Sequence, residues 1–195
     1  MARKKVDVAV IIPDASPVLT LARIGRLDLL ERFGVSIHIV DQVYFEITKP
    51  EHDADGTIKE TLSRMHNRVR IIETATGTGF QSQRAKNPAV RCRDLGETAV
   101  SEYALHLRKT SSASFIPLVL YEDPDMEELP VASLKDVHMM NTTAWLFGMY
   151  DAGMLPEGLE LIDKINALRK TPMELTDVEA RTKKLRSTWR RKLTP

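Results

Sequence analysis

Val8 to Ile12 is an unbroken run of five apolar, mostly branched side chains that stops at Pro13-Asp14. A run of that length with no polar interruption predicts a central parallel strand covered on both faces. Ser16-Pro17, a capping residue followed by proline, then predicts a helix start. Leu19, Ala22, Leu27 and Leu30 supply one apolar face of that helix, and Gly34 ends it. Val35, Ile37 and Ile39 alternate with Ser36 and His38 and predict a second strand. Asp41 is placed to cap a short helix holding Val43, Phe45, Glu46 and Ile47, which Pro50 breaks. Asp55 is placed to cap another helix over about 57–66, and Val69 to Ile72 reads as a third strand.

Residues 74–88 carry no apolar periodicity, include two glycines, and are expected to form a long, mobile loop. Asp94 is placed to cap a helix from Gly96 to about Leu107. Phe115 to Tyr121 predicts a fourth strand, running into Glu122-Asp123-Pro124-Asp125, and Val137 to Met140 a short fifth. A helix from Thr142 to Tyr150 stops at Gly153, Pro156 starts another, and Thr176 caps a last basic one. Strands alternating with helices imply an α/β fold, with a central parallel sheet of four to five strands and helices on both faces.

Composition adds limits. The 195 residues are 43% apolar and 28% charged, ordinary for one globular domain with a core of its own. A single cysteine, Cys92, excludes an intrachain disulfide framework and a Cys-based zinc site, and fits a reducing compartment. Arg91 and Arg93 flank it, but a lone thiol without a base is inert in most proteins. Met1-Ala2-Arg3-Lys4-Lys5 begins like a secretory leader, yet the apolar run behind it is short and ends at Pro13. With no stretch near membrane-spanning length, a cytoplasmic protein is expected. The net charge of +1 hides an asymmetry. Residues 177–192 hold seven basic and two acidic side chains, a local +5 that leaves −4 elsewhere.

Acidic residues recur where an α/β fold places its ligands. Asp14 follows the first strand, Glu46 lies in the helix after the second, Glu97 opens the helix after the unpatterned segment, and Glu122 and Asp123 follow the fourth strand. Ligands of open parallel sheets sit outside the carboxyl ends of the strands, so acids far apart in sequence can converge there. Crowded carboxylates repel unless a cation neutralises them. Oxygen donors without His or Cys select Mg2+ or Mn2+, which suits phosphodiester hydrolysis. Taken singly, an acid is more often a surface charge or a cap, as Asp41, Asp55 and Asp94 read. Asp14 is the exception, because a carboxylate ending a buried strand needs a partner.

Asp14-Ala15-Ser16-Pro17-Val18-Leu19, continued by Leu21-Ala22-Arg23-Ile24-Gly25, resembles the opening of PIN-domain proteins, in particular the branch beginning Asp-Ala-Ser-Pro. Val43-Tyr44-Phe45-Glu46-Ile47 resembles that branch's second acidic segment, and Asp94-Leu95-Gly96-Glu97 its Asp-x-Gly-Glu segment. Leu118 to Asp123 is similar to its fourth strand, and Asn141-Thr142-Thr143-Ala144 up to Gly153 to its closing helix. The resemblance implies a three-layer PIN-like nuclease domain over 1–170; the basic helical extension over 171–195 is read from its charge and lies outside the resemblance. It implies a Mg2+- or Mn2+-dependent endoribonuclease, a hydrolase acting on RNA. Asp14, Glu46, Glu97 and Asp123 are the implied catalytic and metal-binding acids, with Glu122 a rival for the last, and Thr142 or Thr143 an accessory polar group. Because many members are toxins of toxin–antitoxin pairs, and PIN proteins are often dimers, an antitoxin partner and a homodimer are also implied. The alternative within the fold is a PIN-like nucleic-acid or protein binding module without nuclease activity.

The sequence departs from the family pattern in places. The fourth segment reads Tyr121-Glu122-Asp123-Pro124-Asp125 where two aspartates and a basic stretch are usual, the Glu46-to-Glu97 spacing is long, and the tail has no counterpart. In the tail, Lys183, Lys184, Arg186, Arg190 and Arg191 are candidates for phosphate contacts along RNA, with Trp189 placed to stack on a base. A solvated amphipathic helix or a docking helix for an acidic partner are the other readings. A dehalogenase-type phosphatase needs a second aspartate two residues after Asp14, where Ser16 stands. Gly77-Thr78-Gly79 lacks the third glycine of a dinucleotide loop, and neither a His-x-x-x-His pair nor a Gly-x-Ser-x-Gly elbow occurs.

Overall fold

The structure, a computed structural model, describes residues 8–90, 94–112, 114–134 and 136–168. The described chain divides into two compact units, one running to Met139 and one from Met140 onward.

The first unit is built on parallel strands, the last of which runs on past Met139 into the second. β1 (Val8–Pro13), β2 (Ser36–Val40), β3 (Val69–Ile72), β4 (Ile116–Tyr121) and β5 (His138–Asn141) lie in the order β3-β2-β1-β4-β5. Together with helices α1 (Ala15–Arg23), α2 (Asp41–Ile47), α3 (Thr57–Arg64), α4 (Ala75–Lys86) and α5 (Leu95–Thr110), this is a three-layer α/β fold. Val10, Ile11 and Ile12 of β1 are fully buried, as an uninterrupted apolar run requires of a central strand. β1 pairs with β2 through Val10↔Ser36 and with β4 from Ile11↔Leu118 to Pro13↔Leu120, parallel in both cases. β2 pairs with β3 from Ile37↔Val69 to Val40↔Ile72. β3 is an outer strand and shows it: Arg70 and Ile71 are exposed.

Strand order reverses between β1 and β4. In such sheets the crevice at the reversal, outside the carboxyl ends, is where ligands bind. The Asp14 backbone N–H donates to the Leu120 carbonyl at 2.8 Å, tying the end of β1 to the end of β4. This bond fixes where the chain leaves the sheet.

Several expectations are corrected. The helix expected from Ser16 to Gly34 breaks early: α1 starts at Ala15 behind Asp14 and ends at Arg23, and Gly25 takes a left-handed φ of +68°. A short 3-10 turn, Leu27–Glu31, then buries Leu27, Leu29 and Leu30. The buried face of α1 is Val18 and Leu21, not Leu19 and Ala22. Residues 74–88 are not a loop: α4 occupies Ala75–Lys86. Its start is fixed from outside. Thr74 Oγ1 accepts from the Gly77 amide at 2.9 Å, and the Glu102 carboxylate accepts from the Ala75 and Thr76 amides at 2.7 and 3.0 Å. Asp41 caps no helix in front of it. It lies inside α2, and its carboxylate accepts from Thr74 N at 3.2 Å and Thr74 Oγ1 at 2.8 Å. Asp55 is exposed and bonds Thr57; the buried Asp53 takes the Ile58 and Lys59 amides and anchors α3. Asp94 precedes α5 with φ 56° and makes no side-chain cap bond.

In the second unit, α6 (Thr142–Asp151) packs against α7 (Gly158–Leu168). Asn141 caps α6 by accepting from Ala144 N at 2.7 Å. The approach of α7 is close, for a Cβ at Gly158 would stand 2.7 Å from the Tyr150 Cβ.

Candidate active site at the carboxyl edge of the sheet

Asp14 is placed by β1. The strand's apolar run forces its last residues into the core, and Asp14 leaves the sheet only 4% exposed. Burial pushes its carboxyl up from an ordinary 3.8 to about 6; the Ala15 and Ser16 amides pull it down, while the charges of Glu46 and Asp123 push it up further.

Glu46 comes from α2, whose Val43 and Ile47 are buried and whose Gln42 and Glu46 stand one turn apart. Gln42 Nε2 donates to Glu46 Oε1 at 3.3 Å. Burial raises the Glu46 carboxyl, and Gln42, Lys49, the Gly96 amide and His52 oppose the rise. A Cβ on Gly96 would lie 3.1 Å from Glu46 Oε2 and 3.5 Å from Asp14 Oδ1. The two carboxylates therefore flank one point on the first turn of α5, and glycine is the residue that leaves them room.

Glu97 is next on that same turn. Its carboxyl is raised from 4.5 to about 7, through burial and then the charges of Asp14, Asp123, Asp94 and Asp125. Asp123 ends the segment after β4 and is exposed, and its Oδ1 accepts from the Asp125 amide at 3.0 Å. Its charge acts on both Asp14 and Glu97. Glu122, the rival, is half-buried.

The charges of Glu46 and Asp123 reach Asp14, and those of Asp14 and Asp123 reach Glu97, along one edge of the sheet. Two further acids act on Glu97, Asp94 and Asp125, both missed from sequence. The signal was present: Asp94 stands three residues before Glu97, and Pro124 turns Asp125 back toward Asp123. Thr142 and Thr143 open α6 in the second unit, both fully buried, and Thr142 Oγ1 has no hydrogen-bond partner among the described residues. Lys183, Lys184, Arg186, Arg190, Arg191 and Cys92 lie outside the described residues.

Among the described residues, no three His, Cys, Asp or Glu side chains are grouped closely enough to grip a metal ion as they stand. The donor set itself, all carboxylate oxygen, fits a hard divalent cation. No helix among the described residues is long and apolar enough to cross a membrane.

A family model described as a PIN domain matches residues 10–170, most of the chain and all four acids. A search of curated proteins returned no match.

Proposed function

The chain belongs to the PIN-domain family, and on that premise we propose that it is a divalent-metal-dependent endoribonuclease cutting at the carboxyl edge of its sheet. PIN domains are generally nucleases. The observation that carries the reading is the meeting of the Asp14 and Glu46 carboxylates at one point on the first turn of α5, the turn that also bears Glu97. Burial and like charge raise Asp14 to about 6 and Glu97 to about 7 with no basic partner among the causes. Raised carboxyls crowded by like charge at a sheet's carboxyl edge are the kind of group that a bound cation relieves.

Asp14, Glu46, Glu97 and Asp123 would hold Mg2+ or Mn2+. When bound, the cation supplies positive charge at the scissile phosphate and makes water a better nucleophile. The chain's own residues set the geometry. Asp14 is rigid, fixed by β1 and by the bond from its N–H to Leu120. Glu46 is oriented by Gln42 from the preceding turn and by the Gly96 amide. Glu97, half-buried, has its carboxyl raised to about 7 by burial and neighbouring acids, so binding a cation there would compete with a proton. Asp123 lies exposed at the mouth, where a substrate phosphate arrives.

The test is cleavage of a single-stranded RNA, with Mn2+ and with EDTA, by the native protein and by Asp14→Asn. Cutting that needs Mn2+ and vanishes in Asp14→Asn supports the reading; no cutting of any RNA in Mn2+ overturns it. Within the same reading, the toxin of a toxin–antitoxin pair is the finer assignment. Induced expression should then arrest growth, and Asp14→Asn should relieve the arrest.

The second reading, a binding module without nuclease activity, draws on the pull of Lys49 and His52 on Glu46, which gives that acid cationic neighbours of the protein's own. It predicts no heat of Mn2+ binding in calorimetry.

A further inference from the structure

We propose that the face where α2 meets α4, beside the acids, is a phosphate-binding ledge for a single-stranded nucleic acid, made by Lys49 and Arg84 held on the ring of Phe45. The inference deepens the nuclease reading and rests on it only for what lies next door.

Phe45 immediately precedes Glu46 in α2, and Lys49 stands one turn further along the chain. The Arg84 Cζ stands 4.5 Å from the Phe45 ring centroid and the Lys49 Nζ 5.2 Å from it. Phe80, buried, backs the same ring at a centroid distance of 5.4 Å. For Arg84, the aromatic face fixes the cation's position without cancelling its charge as a carboxylate would. Arg84 is exposed and, among the described residues, in no ion pair, so its full charge is offered to solvent.

The ledge gives α4 a purpose. The helix buries little beyond Gly77 and Phe80, and its other side chains are mostly exposed. Apolar burial alone does not hold such a helix. Glu102 and Asp41 hold its first turn instead, and the helix delivers Phe80 and Arg84 to Phe45. The electrostatics also call for it. A basin of four carboxylates repels a polyanion, and cations beside it offset that repulsion while leaving the basin free for a metal ion. Lys49 is already felt at Glu46.

The test uses the full chain, a fluorescein-labelled single-stranded RNA of about a dozen nucleotides, and anisotropy in EDTA, where no cleavage occurs. Lys49→Gln and Arg84→Gln should each lower the slope of log affinity against log salt by about 0.7, and together lower affinity about tenfold at low salt. The loss should be uniform across RNA sequences. Lys59→Gln, which removes an exposed charge on α3, is the control and should change neither quantity. Unaltered binding by the folded double variant, confirmed by an unchanged melting midpoint, overturns the ledge. An equal loss in Lys59→Gln also overturns it, as diffuse charge would then suffice. So does displacement of the RNA by an acidic peptide of matched charge as readily as by unlabelled RNA. If Asp14→Asn still cleaves while the ledge variants lose binding, the active-site reading fails and the ledge stands.

Discussion

Two sets of carboxylates lie within one unit of this protein and are treated in opposite ways. At the start of α4, Glu102 accepts from the Ala75 and Thr76 amides and from Thr76 Oγ1. Desolvation pushes its carboxyl up, but those hydrogen bonds together hold it below the usual range. Asp41, beside it, is bonded to Gln42 N, Thr74 N and Thr74 Oγ1. At the carboxyl edge, Asp14 and Glu97 are desolvated among other acids and both are raised. The residue types are the same. What differs is whether the fold supplies enough donors. A carboxylate well supplied with amides and hydroxyls serves the architecture; one undersupplied, and crowded with its own kind, stores unfavourable energy that a cation can release.

The contrast between the two sets breaks most visibly if Asp14 proves dispensable. Asp14→Asn keeps shape but removes the charge that would meet the cation. Mn2+-dependent cleavage should fall by about 10²–10³, the scale of losing one preorganised electrostatic group. Single-turnover rates on labelled RNA read this directly, and near-native rates would remove Asp14 from the chemistry.

The second effect is in stability and has the opposite sign. Asp14 is raised in the folded state, so the native protein binds a proton that the unfolded chain has released. Its contribution favours folding below about pH 4, declines as pH rises from 4 to 6, and is an unfavourable term above 6. A shift of about two units corresponds to about 3 kcal/mol at pH 8 as an upper figure. Without metal, Asp14→Asn should therefore melt above the native protein at pH 8, and the gap should close as pH falls to 4. Urea midpoints at those two pH values check it. A gap that is constant with pH would mean that Asp14 is not protonated on folding.

How much of this was legible in sequence depended on how local the cause was. β1 was legible because burial on both faces writes itself as an unbroken apolar run. Asp14, Glu46 and Glu97 were legible because each stands at a fixed offset from an element whose pattern could be read. α4 was not. Thr74, its cap, looks like any threonine, and the groups that fix its first turn, Asp41 and Glu102, come from about thirty residues on either side. Asp41 was misread for the same reason, as a cap for the helix it begins rather than an anchor for the segment that lies across from it. The break in α1 was also hidden, since Leu27 and Leu30 satisfy a helical spacing and a 3-10 turn equally well.

A third effect comes from removing the acceptors at α4. Asp41→Ala and Glu102→Ala should each destabilise the protein by about 1–2 kcal/mol, because amide and hydroxyl donors lose charged acceptors. Neither residue is among the charges acting on Asp14 or Glu97, so Mn2+-dependent cleavage measured well below the melting midpoint should persist. A gain in stability from either change would mean that these carboxylates are as strained as Asp14, and the contrast between the two sets would vanish.

The smallest effect sharpens the contrast at one atom. Gly96→Ala places a methyl 3.1 Å from Glu46 Oε2 and 3.5 Å from Asp14 Oδ1, closer than the first carboxylate tolerates without moving by a few tenths of an ångström. Gly96 is in the first turn of α5 and has no left-handed φ, so alanine suits its backbone and contributes up to about 1 kcal/mol through a less flexible unfolded chain. The yielding atom is the tip of a flexible side chain, which keeps the steric penalty small. The two terms nearly cancel, and the melting midpoint should shift little. Mn2+ affinity should nevertheless fall several-fold, because the displaced oxygen is one that would face the cation, and calorimetric titration would show it. A fall in stability together with unchanged Mn2+ affinity would place Gly96 among the packing glycines and take Glu46 away from the cation.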